Sequence, residues 1–581
     1  MADITLAARR TAVPATTRRF PLLRGERLLL VLLVLYVGLL SALPLLRLVV
    51  EALAPGGDGA FLGVLRESWS SRAVRRAFSN TVTASVGSVA ISAALGTALA
   101  LCLTLARVRW RVAATFLVLS PLLIPSQIMA LAWIELIGAV TPLLSSLGLA
   151  PARGPNPLYS GWGIALLMGI EHMPFVFLAV RASLAFLPQD LVEAARVAGA
   201  RRGRILARIV LPLAAPAILA GSILAFAAAV GNFGVPALLG IPGRFPMLTT
   251  LIYQRLNGFG VSMMGQVAAL ALILMALAGA ALLVRALLLR RLSVPVAAGA
   301  RLNPMAEAGW ANAGASALVW ICVVLIAIAP MAALVTASLT PAVGVRLSAE
   351  TATLVNYASA VFGSATVRRA FGNSFWLSLA AAGIATLVAV PFAYLSAMRK
   401  STPARVLSGI ADMPFVMPGT VFALAMILVF LRPLPLVGVS IYGTATILLI
   451  AYAARFLPIV LRPTGAALEA VEPALDEAGR MLGAGLWRRL TLIVAPAAAP
   501  AAVAGGLLVF MTAFNELTVS ALLWSSGVET VGVMIFSLQY EGNSTGAAAL
   551  SVLSILFVLV LALFVDALRP RLPAGTLPWR D

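Results

Sequence analysis

Twelve apolar stretches, each about as long as a bilayer crossing, constrain this chain more than anything else in it. At about 20 residues per crossing, spans are expected near 28–46, 81–105, 112–138, 161–185, 214–240 and 263–284. Six more are expected near 314–337, 373–397, 406–431, 442–466, 497–523 and 546–567. In lipid every backbone N–H and C=O needs an internal partner, so runs this long are helices. With 61% hydrophobic and only 11% charged residues, the chain carries far more apolar side chain than a water-facing surface accommodates. The expected fold class is an all-α polytopic membrane protein of about 12 transmembrane helices.

The net charge of +21 has a topological explanation. Of the 42 Lys and Arg residues, 27 fall on one set of alternate loops and termini and 11 on the other. The positive-inside rule then puts both termini on the cytoplasmic side and accounts for the charge without nucleic acid. The arginine-rich start (Arg9, Arg10, Arg18, Arg19, Arg24, Arg27) precedes a span with no clear small-residue cleavage site, so it reads as a retained anchor.

Residue counts exclude several chemistries. The single lysine, Lys400, follows Arg399, whereas a P-loop needs a glycine before its lysine. The chain is therefore not expected to hydrolyse ATP by that route. His172 is the only histidine, and Cys102 and Cys322 are the only cysteines. These cannot assemble a His/Cys metal site or a disulfide framework, and no catalytic residue and no cofactor is expected.

The chain repeats itself. Arg75-Arg76-Ala77-Phe78-x-Asn80 returns as Arg368-Arg369-Ala370-Phe371-x-Asn373, and Pro121 with Pro125 returns as Pro414 with Pro418, at an offset of 293. Beyond a longer loop in the first half the offset becomes 284, matching Pro174 to Pro458, Glu193 to Glu477, Gly199 to Gly483, Pro212 to Pro496 and Phe226 to Phe510. Each half is a six-span unit, and because six is even both halves have the same orientation. The expected organisation is a basic N-terminus (1–27), a first unit (28–290), a linker (291–313), a second unit (314–568) and a tail (569–581).

Between the fourth and fifth spans of each half lies a recurring pattern. It reads Glu193-Ala194-Ala195, three residues, Gly199, nine residues, then Ile209-x-Leu211-Pro212. In the second half it is Glu477-Ala478-Gly479, three residues, Gly483, nine residues, then Ile493-x-Ala495-Pro496. Pro188 and Asp190 start a helix, and Gly199 supplies the left-handed turn that stops it. Ala194, Ala195 and Ala198 leave a low face for another protein, with Glu193 and nearby arginines to set its register.

This pattern resembles the EAA loop of the membrane subunits of bacterial ABC importers, and the duplicated layout resembles their type I permease fold. The resemblance implies that Glu193 to Gly199 and Glu477 to Gly483 are coupling helices. They would seat in two copies of a cytoplasmic ABC ATPase subunit. Gly479 and Ala495 depart from the pattern, and Gly479 is expected to loosen the second helix. The resemblance further implies a bacterial inner-membrane location and a periplasmic substrate-binding protein as partner.

The segments Gly231-Asn232-Phe233-Gly234-Val235-Pro236 and Ala513-Phe514-Asn515-Glu516-Leu517-Thr518 resemble fused permeases of the ferric-iron uptake group. Ferric iron is thereby the implied cargo, with thiamine, aminoalkylphosphonate, polyamine and sulfate as alternatives from related permeases. An ion-coupled secondary transporter is the other class that fits twelve spans. Asn232, Asn515, Glu516, Tyr540 and Glu541 are candidate oxygen donors, placed near the outer interface by residue counting, where simple helix-end solvation is the alternative. Glu171 falls near the bilayer centre and its counterpart at offset 284 is Arg455. Charges at such depth are usually paired, so the two are expected either to meet across the pseudo-twofold axis, with His172 beside them, as part of a translocation route that also takes in Asn232, Asn515 and Glu516, or to be satisfied each within its own half.

Overall fold

The computed structural model describes residues 24–56, 59–148, 154–185, 187, 189–259, 263–292, 309–433 and 438–567. Most of the basic N-terminus, most of the linker, Pro188 and the C-terminal tail lie outside the described residues. Among the described residues ten helices are long and apolar enough to cross a membrane: Gly25–Ala52, Arg72–Leu105, Gly161–Ala185, Arg202–Gly231 and Met264–Leu288, then Asn312–Ser338, Ala365–Met398, Ala445–Glu469, Leu486–Phe514 and Ser544–Ala567. Two further spans are bent pairs, Arg111–Leu123 with Ser126–Pro142 and Thr402–Val416 with Gly419–Phe430, each bent by 109°. Numbered along the chain, the pairs are the third and ninth of twelve spans.

The straight helices expected at 112–138 and 406–431 are thus corrected to angled ones. The cause is Pro125 and Pro418, each of which forces the residue before it out of the helical region. Ile124 (φ −93°, ψ 123°) and Met417 (φ −76°, ψ 152°) are accordingly extended. The fifth and eleventh spans end at Gly231 and Phe514, about nine residues earlier than expected. After them the chain turns back, and two buried short helices, Leu248–Phe259 and Val531–Tyr540, precede the last span of each half. The Arg-Arg-Ala-Phe motifs, expected in loops, lie within the second and eighth helices.

Each half is built on its second, fourth and fifth spans, packed together. Close approach comes from glycine. A Cβ on Gly221 would sit 2.7 Å from the Val176 Cα, and one on Gly505 would sit 2.8 Å from the Val460 Cα. Both pairs are related by the 284 offset, so the helix crossing itself is duplicated. Small residues bring helices together where lipid supplies no hydrophobic driving force.

The first span of each half packs on the other half. Gly25–Ala52 lies against both arms of the ninth span, and the Tyr36 hydroxyl donates to the Ala453 carbonyl at 2.9 Å. The seventh span lies against the second and third spans, where Asn312 Oδ1 accepts the Arg107 N–H at 2.8 Å and Trp320 Nε1 donates to the Arg109 carbonyl.

Candidate functional site

The two proline corners meet the rest of the molecule through the fourth and tenth spans. In the first half Glu171 accepts a hydrogen bond from the hydroxyl of Ser126, the first residue of the second arm, and another at 2.9 Å from Asn232 Nδ2. In the second half Arg455 donates to the carbonyls of Pro414 (2.9 Å) and Met417 (3.1 Å), at the end of the first arm. The opposite charges follow from helix electrostatics. A carboxylate suits the electropositive start of a helix and a guanidinium the electronegative end. One structural position thus grips the corner by opposite ends in the two halves.

The cross-axis ion pair between Glu171 and Arg455 is therefore corrected: each is satisfied within its own half. Arg455 lies within Coulombic reach of Glu516, in the same half. His172 does lie beside Glu171, with Nε2 4.0 Å from Oε1.

Asn232 and Glu516, also related by the 284 offset, stand where the fifth and eleventh helices stop. Asn232 Oδ1 accepts the Val235 N–H at 3.1 Å, and Glu516 accepts those of Val519 (2.8 Å) and Ser520 (3.0 Å). Both are caps for the turn that follows. Both are also buried, at 6% and 8% exposure, and Asn232 lies level with Glu171, ten residues into the fourth span. The expected position near the outer interface is corrected accordingly, because the chain folds back at this depth instead of continuing outward. Asn515 joins the halves, its carbonyl accepting from Gln127 Nε2 at 2.9 Å while its side chain accepts from Ser554. Tyr540 and Glu541 are exposed and outside this cluster.

The corner and the returning chain interlock through a reciprocal size exchange. Ser126 packs against Gly234, whose added Cβ would lie 2.7 Å from the Ser126 Cβ. At the equivalent second-half positions the sizes are reversed: Gly419 faces Thr518, with an added Cβ 2.0 Å from the threonine Oγ1.

The motif Arg-Arg-Ala-Phe-x-Asn, noted as a repeat but given no role, holds the entrance to the short buried helices. Asn80 Nδ2 donates to the Pro246 carbonyl at 2.9 Å, and the next residue, Thr81, accepts the Leu248 N–H at 2.9 Å. Asn373 likewise donates to the Glu529 carbonyl at 2.9 Å, and Ser374 accepts the Val531 N–H at 2.9 Å. Glu529 itself lies in the loop outside the spans. Burial pushes its carboxyl up, but hydrogen bonds from Arg369 and the Gly527 N–H outweigh this and hold it below the usual carboxylate range.

At the other end of the molecule lie two loop helices, Gln189–Val197 and Pro473–Met481. Gly199 and Gly483 stop them at φ +77° and +79°, a conformation glycine adopts without steric cost. Glu193, Ala194, Glu477 and Ala478 are exposed and Ala195 is half-buried. So are matched apolar side chains: Leu191 and Leu475, and Val197 and Met481, the last two at 91% and 89% exposure. Gly479 does not loosen its helix. It is buried, and a Cβ there would lie 2.8 Å from Ile493 Cδ1 and 3.5 Å from Arg489 Cγ, so its smallness admits those side chains.

The profile of the family described as binding-protein-dependent transport system inner membrane component matches residues 90–294 and again 389–573. The chain belongs to that family. It is a fused, duplicated ABC importer permease, a multi-pass transport subunit, and this displaces the ion-coupled transporter as an alternative. The permease is 29% identical over 451 residues to the probable ABC transporter permease protein y4fN of Sinorhizobium fredii, covering 76% of this chain and 77% of that one. It is 26% identical over 191 residues to the Fe(3+)-transport system permease protein FbpB 2 of Haemophilus influenzae, covering 32% and 36%. It is 36% identical over 110 residues to the putative 2-aminoethylphosphonate transport system permease protein PhnU of Salmonella typhimurium, covering 19% and 38%.

Proposed function

We propose that this permease forms the route through the bacterial inner membrane for ferric iron handed over by a periplasmic binding protein. Two copies of a separate ABC ATPase subunit dock on the loop helices, and both termini face the cytoplasm. The observation that carries the docking is the pair of loop helices at identical spacing, each stopped by a left-handed glycine and each exposing apolar side chains at matched positions. Exposed apolar residues grouped on a membrane protein's water-facing loops mark a protein contact.

Two expected results test this. The purified chain alone hydrolyses no ATP but retains a co-expressed ATPase subunit through purification. Gly483→Pro, which fixes φ near −65° where +79° is required, abolishes that retention while the protein remains inserted. Hydrolysis by the rigorously purified chain, or undiminished retention by the proline variant, would remove the docking role.

For the cargo, support comes from the Fe(3+)-transport relative and from two hard oxygen donors, the Glu171 carboxylate and the Ser126 hydroxyl, meeting at one level, with Asn232 Nδ2 holding the carboxylate in place. The 2-aminoethylphosphonate relative favours a second reading, with an organophosphonate as cargo. A deletion strain is expected to lose ferric iron uptake and keep growth on 2-aminoethylphosphonate as phosphorus source. The reverse pattern would transfer the assignment to the phosphonate.

A further inference from the structure

The two loop helices are anchored by different chemistry. Behind the second lies a buried polar cluster drawn from four parts of the chain: Glu26 of the first span, Tyr394 and Arg399 at the end of the eighth, Asp476 of the loop helix, and Arg489 at the start of the eleventh. Arg489 Nη1 contacts Asp476 Oδ1 at 2.6 Å and Oδ2 at 2.8 Å, and it donates to the Tyr394 hydroxyl at 2.7 Å. Its Nη2 reaches Glu26 Oε1 at 3.2 Å. The Tyr394 hydroxyl donates to the same Glu26 oxygen at 2.8 Å, and Arg399 Nε lies 3.4 Å from it. Two carboxylates and two guanidinium groups balance. Glu26, Asp476 and Arg489 are each no more than 2% exposed.

The repeat offsets show what the first half has instead. Asp476 and Arg489 correspond to Val192 and Ile205, and Tyr394 and Arg399 to Leu101 and Ala106. All four belong to one apolar cluster, joined by Val319 and Val323 of the seventh span. The first and seventh spans register on Pro44 and Pro330, each just after a π-turn, which aligns Glu26 with Asn312. At these matched positions the first loop helix packs through apolar side chains, the second through directional charged contacts that include the first span.

We infer that the second loop helix and the first span move as one body during the transport cycle, while the first loop helix slides against the seventh span, so that the two docking loops transmit motion unequally. Glu26, Asp476 and Arg489 are positioning residues for that transmission. Directional contacts resist displacement, because separating a buried pair leaves an uncompensated charge, whereas apolar contact is non-directional. This rests on the docking role proposed above for the loop helices.

The test uses the full complex with its ATPase subunits in lipid, with Cys102 and Cys322 replaced by serine. Spin labels stand at exposed Val31 and Leu482 in one sample, and at Ala198 and Leu318 in the other. The probe is Mg-ATP with a hydrolysis-deficient ATPase. The Val31 to Leu482 distance is expected to stay unchanged between nucleotide-free and ATP-bound states, while the Ala198 to Leu318 distance shifts. Transplanting the residues found at the matched positions around the first loop helix (Glu26→Asn, Tyr394→Leu, Arg399→Ala, Asp476→Val, Arg489→Ile) should make the first distance shift as well. Equal shifts of both pairs in the unaltered chain would overturn the inference, as would an unchanged distance in the transplant. The comparison within the unaltered chain decides even where the transplant does not assemble. If the unaltered chain fails to bind the ATPase, the docking reading falls and takes this inference with it. Normal binding with equal shifts overturns the inference alone.

Discussion

Replacing Gly419 by serine is expected to abolish transport and sharply lower the yield of folded permease, and adding Thr518→Gly is expected to restore both. The single change puts a Cβ 2.0 Å from the Thr518 Oγ1 and 2.6 Å from its Cβ. Threonine is β-branched and stiff at χ1, so the clash is not relieved by swinging a flexible tip. The helix start has to move, at a cost at or beyond the roughly 1–3 kcal/mol typical of overpacking. The double variant recreates the first-half arrangement, in which the corner residue is serine and its facing residue glycine. Thr518→Gly alone removes the hydroxyl that donates to Glu516 and should be mild. Thermal stability in detergent and uptake in cells measure the effect. A tolerated Gly419→Ser, or a double variant no better than the single, would show that the corner yields.

The second large effect is expected at Arg489. Arg489→Met leaves Asp476 without its two-oxygen partner and removes one guanidinium from Glu26. Breaking a buried ion pair from one side typically costs about 3–5 kcal/mol. Exchanging both partners for the apolar pair of the first half, Asp476→Val with Arg489→Ile, should cost far less, since well-packed apolar replacements of buried pairs are often close to neutral. Arg489→Lys should fall between them, because a compact ammonium does not reproduce the forked contact. Folded fraction after heating, compared across the three variants, gives the order. Equal losses for Arg489→Met and the apolar pair would mean that the site needs charge itself, not satisfaction of charge.

What the sequence revealed and what it concealed divide along physical lines. Apolar runs, the repeat and the glycine-stopped loop helices were legible because each depends on local chemistry: hydrophobicity over about 20 residues, a fixed offset, and a left-handed φ. The bent spans were missed although Pro121, Pro125, Pro414 and Pro418 had been noticed, because hydropathy measures composition and carries no direction. The depths of Asn232 and Glu516 were misplaced for the same reason. Counting 1.5 Å per residue assumes a helix that continues, and this one stops at Gly231. Glu171 and Arg455 were correctly matched by offset, but equivalence under a pseudo-twofold axis does not imply contact, and the proline corners supplied nearer partners. The cluster around Arg489 left no local trace, since Glu26 and Arg489 stand 463 residues apart.

That separation governs how the chain is made. The first helix enters the membrane before any of its charged partners exist, and Glu26 has to wait through the synthesis of the first unit, the linker and most of the second before Arg489 appears. During that interval the helix lacks the Arg489 contact, while the sixth span, made earlier, is available to pack against it. Loop closure across so long a separation adds little cost beyond that of a shorter one, because the entropy grows only with the logarithm of length. Closure of the cluster therefore waits on the start of the eleventh span. A chain truncated before residue 489 leaves its opening helix without the Arg489 latch on Glu26.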